Sequence, residues 1–151
     1  MHTATSSDKL ILSSENHTKE LSNKILTKLK PGDIIFLYGE MGVGKTTLIR
    51  YLINGFQKEN SLKITEVTSP TFNLLNEYQI NQLKINHYDL FRCKSSLEVK
   101  NLGLFQDCSN AITFIEWPQI INDKPKNLIE LIFEYEDNYQ KRSVQLKGIN
   151  L

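Results

Sequence analysis

A chain of 151 residues and 17.5 kDa is the size of one domain, and it can bury a core without disulfides or structural metals. Charged residues at 23% and hydrophobic residues at 40% exclude wholesale disorder, a collagen-like repeat and a coiled coil, and a net charge of +1 lacks the basic stripe with which a protein grips nucleic acid by itself. No apolar run approaches the roughly 20 residues that span a bilayer, and residues 1–30 scatter Asp8, Lys9, Glu15, Lys19 and Glu20 among serines and threonines, so neither a membrane span nor a secretory signal is expected and the location is read as cytoplasmic.

After this polar start, Leu21, Ile25, Leu26 and Leu29 recur at helical spacing, which predicts a helix from Glu15 to Leu29 that Pro31-Gly32 ends. Ile34 to Tyr38 is a continuous apolar run after a turn signal, the pattern of a strand buried on both faces. Thr46 to Ile53 reads as a buried helix stopping near Asn54-Gly55. Gln57 to Thr71 lacks period. Phe72 to Ile80 and Leu83 to Tyr88, joined at Asn81-Gln82, predict an antiparallel hairpin closed by Asp89. Ser95 or Ser96 caps a short helix through Leu102. Cys93 and Cys108 have neither C-x-x-C spacing nor a histidine pattern beside them and are read as reduced packing residues. Ala111 to Ile115 is a second continuous apolar strand, ending in Glu116-Trp117-Pro118. Leu128 to Tyr135 alternates with Ile129, Leu131, Phe133 and Tyr135 on one face, and a last strand runs from about Arg142 to Leu146. No repeat or linker divides the chain, so residues 1–151 are taken as a single domain.

Between the first strand and the second helix lies Gly39-Glu40-Met41-Gly42-Val43-Gly44-Lys45-Thr46, which fits G-x-x-x-x-G-K-[ST]. Glycines let successive backbone N–H groups turn toward phosphate oxygens, and the following helix adds its partial positive charge at the same place. Lys45 is then expected to reach the β- and γ-phosphates and Thr46 to place its hydroxyl on magnesium. Glu40 and Met41 fill variable positions of the loop.

Phosphate chemistry also calls for an acid to hold the metal and a group to position water, at the carboxyl ends of strands beside the loop. Asp89 and Glu116 both stand at such ends, and short-range sequence logic leaves open which one serves the metal. His87 is read as a packing or surface residue rather than a catalytic base. Trp117 is read as core or rim packing ahead of stacking on a base or a partner. Thr68-Ser69-Pro70-Thr71 occupies the irregular stretch where phosphate-loop proteins carry a switch, although on the residues alone a turn set by Pro70 is the favoured reading.

Taken in order, GEMGVGKTT at Gly39 to Thr47, VTSPTFNLLNEY at Val67 to Tyr78, HYDLFR at His87 to Arg92 and IEWP around Glu116 resemble the TsaE family, bacterial P-loop ATPases of tRNA threonylcarbamoyladenosine synthesis. The similarity extends from the first helix to the Arg142 strand. It implies a protein that binds ATP with magnesium and hydrolyses it slowly while associating with TsaD and TsaB, where TsaD performs the threonylcarbamoyl transfer and tRNA is met through that complex. By motif, the resemblance puts Gly39 to Thr47 on the nucleotide, Lys45 and Thr46 on phosphate and magnesium, Ser69 and Thr71 on a switch-like segment, Asp89 on the metal-linked acid and Glu116 with Trp117 on a second acid motif that is a candidate for both metal binding and catalysis. The loop carries Glu40, Met41 and Val43 where family members often have Asp, Leu and Ala; backbone amides do the binding there, so the substitutions leave the reading intact. Arg50, Arg92 and Arg142 are the chain's arginines, and none stands out as an internal arginine finger.

The expected architecture is α/β: a three-layer P-loop NTPase domain with a mixed sheet, parallel around the glycine loop and antiparallel at the hairpins. Two other functions compete with a partner-coupled ATPase. A small-molecule kinase would need an inserted lid and substrate pocket, and no segment supplies them. A nucleotide-gated binding module without useful turnover would use Asp89 and Glu116 for structure and magnesium alone.

Overall fold

The computed structural model describes residues 9–151; the part of the polar start before Lys9, including Asp8, lies outside the described residues. The elements in chain order are β1 (Lys9–Leu12), α1 (Glu15–Leu26), β2 (Ile34–Tyr38), α2 (Lys45–Glu59), β3 (Leu75–Ile80), β4 (Leu83–Asp89), α3 (Ser96–Asn101), β5 (Ala111–Glu116), a 3-10 turn (Pro118–Ile120), β6 (Leu128–Glu136) and β7 (Lys141–Lys147). The strands form one seven-stranded sheet in the order β1-β7-β6-β2-β5-β4-β3. Its centre, β6-β2-β5-β4, is parallel, and β7, β1 and β3 extend it antiparallel. The expected mixed sheet is therefore present.

The continuous apolar runs do lie at the centre, where both faces are covered: Ile34 to Leu37 of β2 and all of β5 are buried. One face packs Ile35, Leu37, Ile85, Ile112, Phe114, Leu131 and Phe133 against Leu21 and Ile25 of α1 and Leu48, Ile49, Leu52 and Ile53 of α2. The opposite face packs Ile34, Phe36, Tyr88, Leu90 and Ile115 under Val99 of α3 and the Leu104 loop, so this third layer is thin. Ser14 and Ser95 cap α1 and α3 by accepting from the N–H groups of His17 and Glu98.

α1 ends at Leu26, short of the expected Leu29, and three further elements differ from the sequence reading. β1 was hidden in the polar start because it is an edge strand: it pairs with β7 through its backbone and buries Leu12 alone, leaving Leu10 and Ile11 exposed. α2 continues past Asn54-Gly55 to Glu59. Gly55 is no stop signal here, since a Cβ on it would lie 2.8 Å from Leu26 Cδ2, and its missing side chain lets α1 approach α2. β3 begins at Leu75 rather than Phe72; Phe72 is 94% exposed and Leu74 takes the left-handed conformation (φ 60°), which breaks the extended run.

Tyr38, the last residue of β2, donates its hydroxyl to Glu130 on neighbouring β6 at 2.7 Å and thereby ties down the strand end from which the glycine loop departs. Burial, then the Glu130 bond, push the Tyr38 hydroxyl above its ordinary range. For Glu130, burial alone would raise the carboxyl pKa, but the Tyr38 hydroxyl and Lys124 together override it and hold it below 4.5. A group whose pKa falls on folding contributes stability above its unfolded value and loses it as pH drops through the folded one. Glu130→Gln is accordingly expected to flatten the decline of urea midpoint on acidification below 4.5, relative to the parent chain.

Candidate functional site

Parallel strands place their carboxyl ends on one sheet edge, and register aligns them: Leu37 of β2 is level with Glu116 of β5, which is level with Asp89 of β4. The chain leaves β2 through a loop in which Gly39, Gly42 and Gly44 all have positive φ, at 147°, 80° and 115°. Gly39 has a steric reason as well, because a Cβ there would sit 2.9 Å from Phe133 Cβ and 3.0 Å from the Phe133 carbonyl oxygen of β6. Further along β6, Tyr135 donates its hydroxyl to the Met41 carbonyl at 3.2 Å. The loop is thus laid over β6.

The loop ends on the first turn of α2. Gly44 is its N-cap and offers no side-chain acceptor, and no acid stands in the first turn, in contrast to the serine-capped α1 and α3. The first N–H groups of a helix have no partner within it, so this end is set up for an external anion. Lys45 is 4% exposed; its ammonium donates to the Gly39 carbonyl and lies 3.8 Å from the centre of the Trp117 ring. Burial lowers its pKa from the ordinary lysine value, with Glu116 and Asp89 acting in the opposite direction. Thr46 donates its hydroxyl to both oxygens of Glu116, each at 3.0 Å.

Glu116 is 3% exposed and also meets His87 Nε2 at 2.6 Å. Asp89 accepts from the Ser69 hydroxyl at 2.7 Å and from the Phe91 N–H at 2.9 Å. The two acids left open by the sequence are therefore distinguished by contact: Glu116 joins Thr46, and Asp89 joins the Ser69 segment. Gly42, Gly44, Lys45, Thr46, Thr47, Ser69, Thr71, Asp89 and Glu116 come together around a cleft of about 310 Å³.

The side chains of the loop's three variable positions lie away from the cleft centre. Val43 is fully buried and its N–H bonds the Glu40 carbonyl at 3.2 Å, so its side chain is part of the core. Glu40 is exposed and borders a neighbouring depression lined by Gln119 and the β6–β7 hairpin. Met41 is on the cleft rim and largely exposed.

Three residues gain contacts that local sequence does not reveal. His87 is fully buried, in line with the packing half of its reading, and it meets Glu116; its period-two relation to Asp89 puts both on one strand face. Arg92 lines the cleft, three residues after Asp89 on the turn leaving β4. Trp117 does pack at the rim as expected, but it does so in the left-handed conformation (φ 58°), and its ring also contacts Phe91 at 4.9 Å between centroids.

Among the described residues no group of three or more His, Cys, Asp and Glu side chains is arranged to hold a metal alone. A cation in the cleft would be completed by the Thr46 hydroxyl, phosphate oxygens and water, the incomplete protein shell that suits magnesium.

Fold and loop together define an α/β domain of the phosphate-loop type, with the glycine turn at the carboxyl edge of a central parallel strand. The model of the family described as "Threonylcarbamoyl adenosine biosynthesis protein TsaE" matches residues 12–144, and the chain belongs to the TsaE family of tRNA threonylcarbamoyladenosine biosynthesis. Relatives named as the tRNA threonylcarbamoyladenosine biosynthesis protein TsaE include that of Rickettsia bellii, 42% identical with 85% of this chain and 87% of the relative covered. That of Aquifex aeolicus is 33% identical, covering 91% and 96%. The crystal structure of YdiB from Bacillus subtilis shares the fold, with a TM-score of 0.67 at 19% identity over 99% of this chain and 89% of that one.

Gly39→Ala tests whether the loop's path is dictated by β6. A Cβ forced against a backbone carbonyl at positive φ should cost about 1–3 kcal/mol in chemical denaturation, and wild-type stability in that variant would show that the loop is not seated on Phe133.

Proposed function

We propose that this chain binds ATP with magnesium and hydrolyses it slowly, as an energy-coupling component that acts with TsaD and TsaB in threonylcarbamoyladenosine formation and leaves the transfer itself to TsaD. The observation that carries the reading is the Thr46 hydroxyl held on both Glu116 oxygens beside the buried Lys45, at the mouth of a helix without a side-chain cap.

In this reading the amides of Gly42 and of Gly44 to Thr47 cradle the β- and γ-phosphates, and Lys45 exchanges the Gly39 carbonyl for a phosphate oxygen. Donation toward Glu116 leaves the Thr46 oxygen's lone pairs available to a cation. Magnesium, when bound, supplies charge neutralisation for the phosphoryl group that is transferred to water. Glu116 orients Thr46 and the water shell of that ion. Asp89, tied to Ser69, links the same region to the segment carrying Thr71, so the phosphate state can be felt there. Arg92 lines the cleft and is available to the nucleotide, and a partner completes the site.

Net charge of +1 supports tRNA being met through the partner complex, and no described helix is long and apolar enough to cross a membrane, in keeping with a cytoplasmic location.

Lys45→Ala should weaken ATP binding or turnover by about a hundredfold or more, measured on purified protein; turnover equal to the parent would place the chemistry elsewhere. Capture of TsaD and TsaB should differ between ADP and a non-hydrolysable ATP analogue, and capture that ignores the nucleotide would remove the coupling role.

A further inference from the structure

His87 has no part in the function as proposed so far, yet it is wholly buried and makes one side-chain hydrogen bond, to Glu116 at 2.6 Å. Its other ring nitrogen, Nδ1, is buried without a partner. Two residues earlier on the same strand face, Ile85 is equally buried and fully apolar. An apolar side chain at position 87 would avoid the cost of an unpaired buried nitrogen. Packing therefore does not explain a histidine here.

Register explains what it reaches. His87 on β4 is level with Phe114 on β5, so Glu116, two residues further along, is its diagonal neighbour on the α2 side of the sheet. Glu116 Oε2 meets His87 Nε2 and also accepts from Thr46, while Oε1 accepts from Thr46 alone. One side of the carboxyl group is thereby pinned to β4, which leaves Thr46 facing both oxygens.

We propose that His87 is a positioning residue for Glu116: its ring fixes the carboxyl plane so that the Thr46 hydroxyl hydrogen is directed to Glu116 and the hydroxyl lone pairs are kept for a divalent cation in the cleft. The inference rests on the magnesium-nucleotide reading of the site and names a residue outside the cleft lining that sets its metal dependence. Groups that orient a metal's ligands commonly alter metal affinity about 10–100-fold when removed.

Glutamine and methionine are close in shape, and both are unbranched and fill a similar volume, but glutamine keeps an N–H donor near the position of Nε2 and methionine does not. Trp117, the chain's single tryptophan, sits over Lys45 and supplies an intrinsic fluorescence probe. ADP is titrated into the parent, His87→Gln and His87→Met, each with magnesium and with chelator, and the ratio of the two affinities is the metal-linked gain. His87→Met should lose about tenfold or more of that gain with its magnesium-free affinity unchanged, and His87→Gln should retain most of it. If His87→Met keeps the parent's gain, or if both variants lose it equally, or if magnesium-free binding falls in step, His87 is a packing residue and the proposal is overturned. A parent chain with no ADP binding or no metal-linked gain overturns the functional reading itself, and this proposal with it.

Discussion

The site depends on a carboxyl group that the fold has taken almost entirely out of water. Glu116 closes β5, a strand with no exposed residue, and such a group is tolerable in the interior when its oxygens are hydrogen-bonded. Thr46 and His87 meet that need from two different elements, the first turn of α2 and the inward face of β4. The helix carrying Lys45 and the strand carrying Asp89 are in this way referred to one point, and the geometry of the cleft follows from it.

Around that point the sheet performs a simple task. Four parallel strands bring their carboxyl ends to one edge, and the strand from which the glycine loop springs has β5 on one side and β6 on the other. β5 and its neighbour β4 deliver the acids; β6 delivers Phe133 and Tyr135, which support the loop from beneath. Apolar packing on the α1–α2 side holds α2 at a fixed height over the strands, so the uncapped first turn and the acids stay in register. The thin layer on the opposite face carries none of the cleft's polar groups apart from the turn after Asp89.

What the sequence made legible follows from the range of the forces involved. Central strands announce themselves because burial on both faces demands an unbroken apolar run, and the glycine loop does so because positive φ angles and close approach to phosphate select glycine at fixed spacing. Asp89 and Glu116 were visible as acids at strand ends. Their separate partners were not, since Thr46 to Glu116 and Ser69 to Asp89 are contacts between elements far apart in the chain. β1 left no pattern because backbone pairing, rather than side-chain burial, holds it to β7. Gly55 misled for a related reason: its smallness serves Leu26 on another helix, which no local rule reveals. His87 looked ordinary until the strand register set it beside Glu116.

In the function proposed above, polyphosphate and its cation sit at the Gly39 to Thr46 loop, with Lys45 and the Thr46–Glu116 pair. A crystal structure of the chain soaked with magnesium and a non-hydrolysable ATP analogue tests this most directly. Phosphate density is expected over the first turn of α2, with Lys45 moved from the Gly39 carbonyl to a phosphate oxygen and a cation on the Thr46 hydroxyl. Nucleotide density in another cavity, with the loop and Lys45 unchanged, would contradict it.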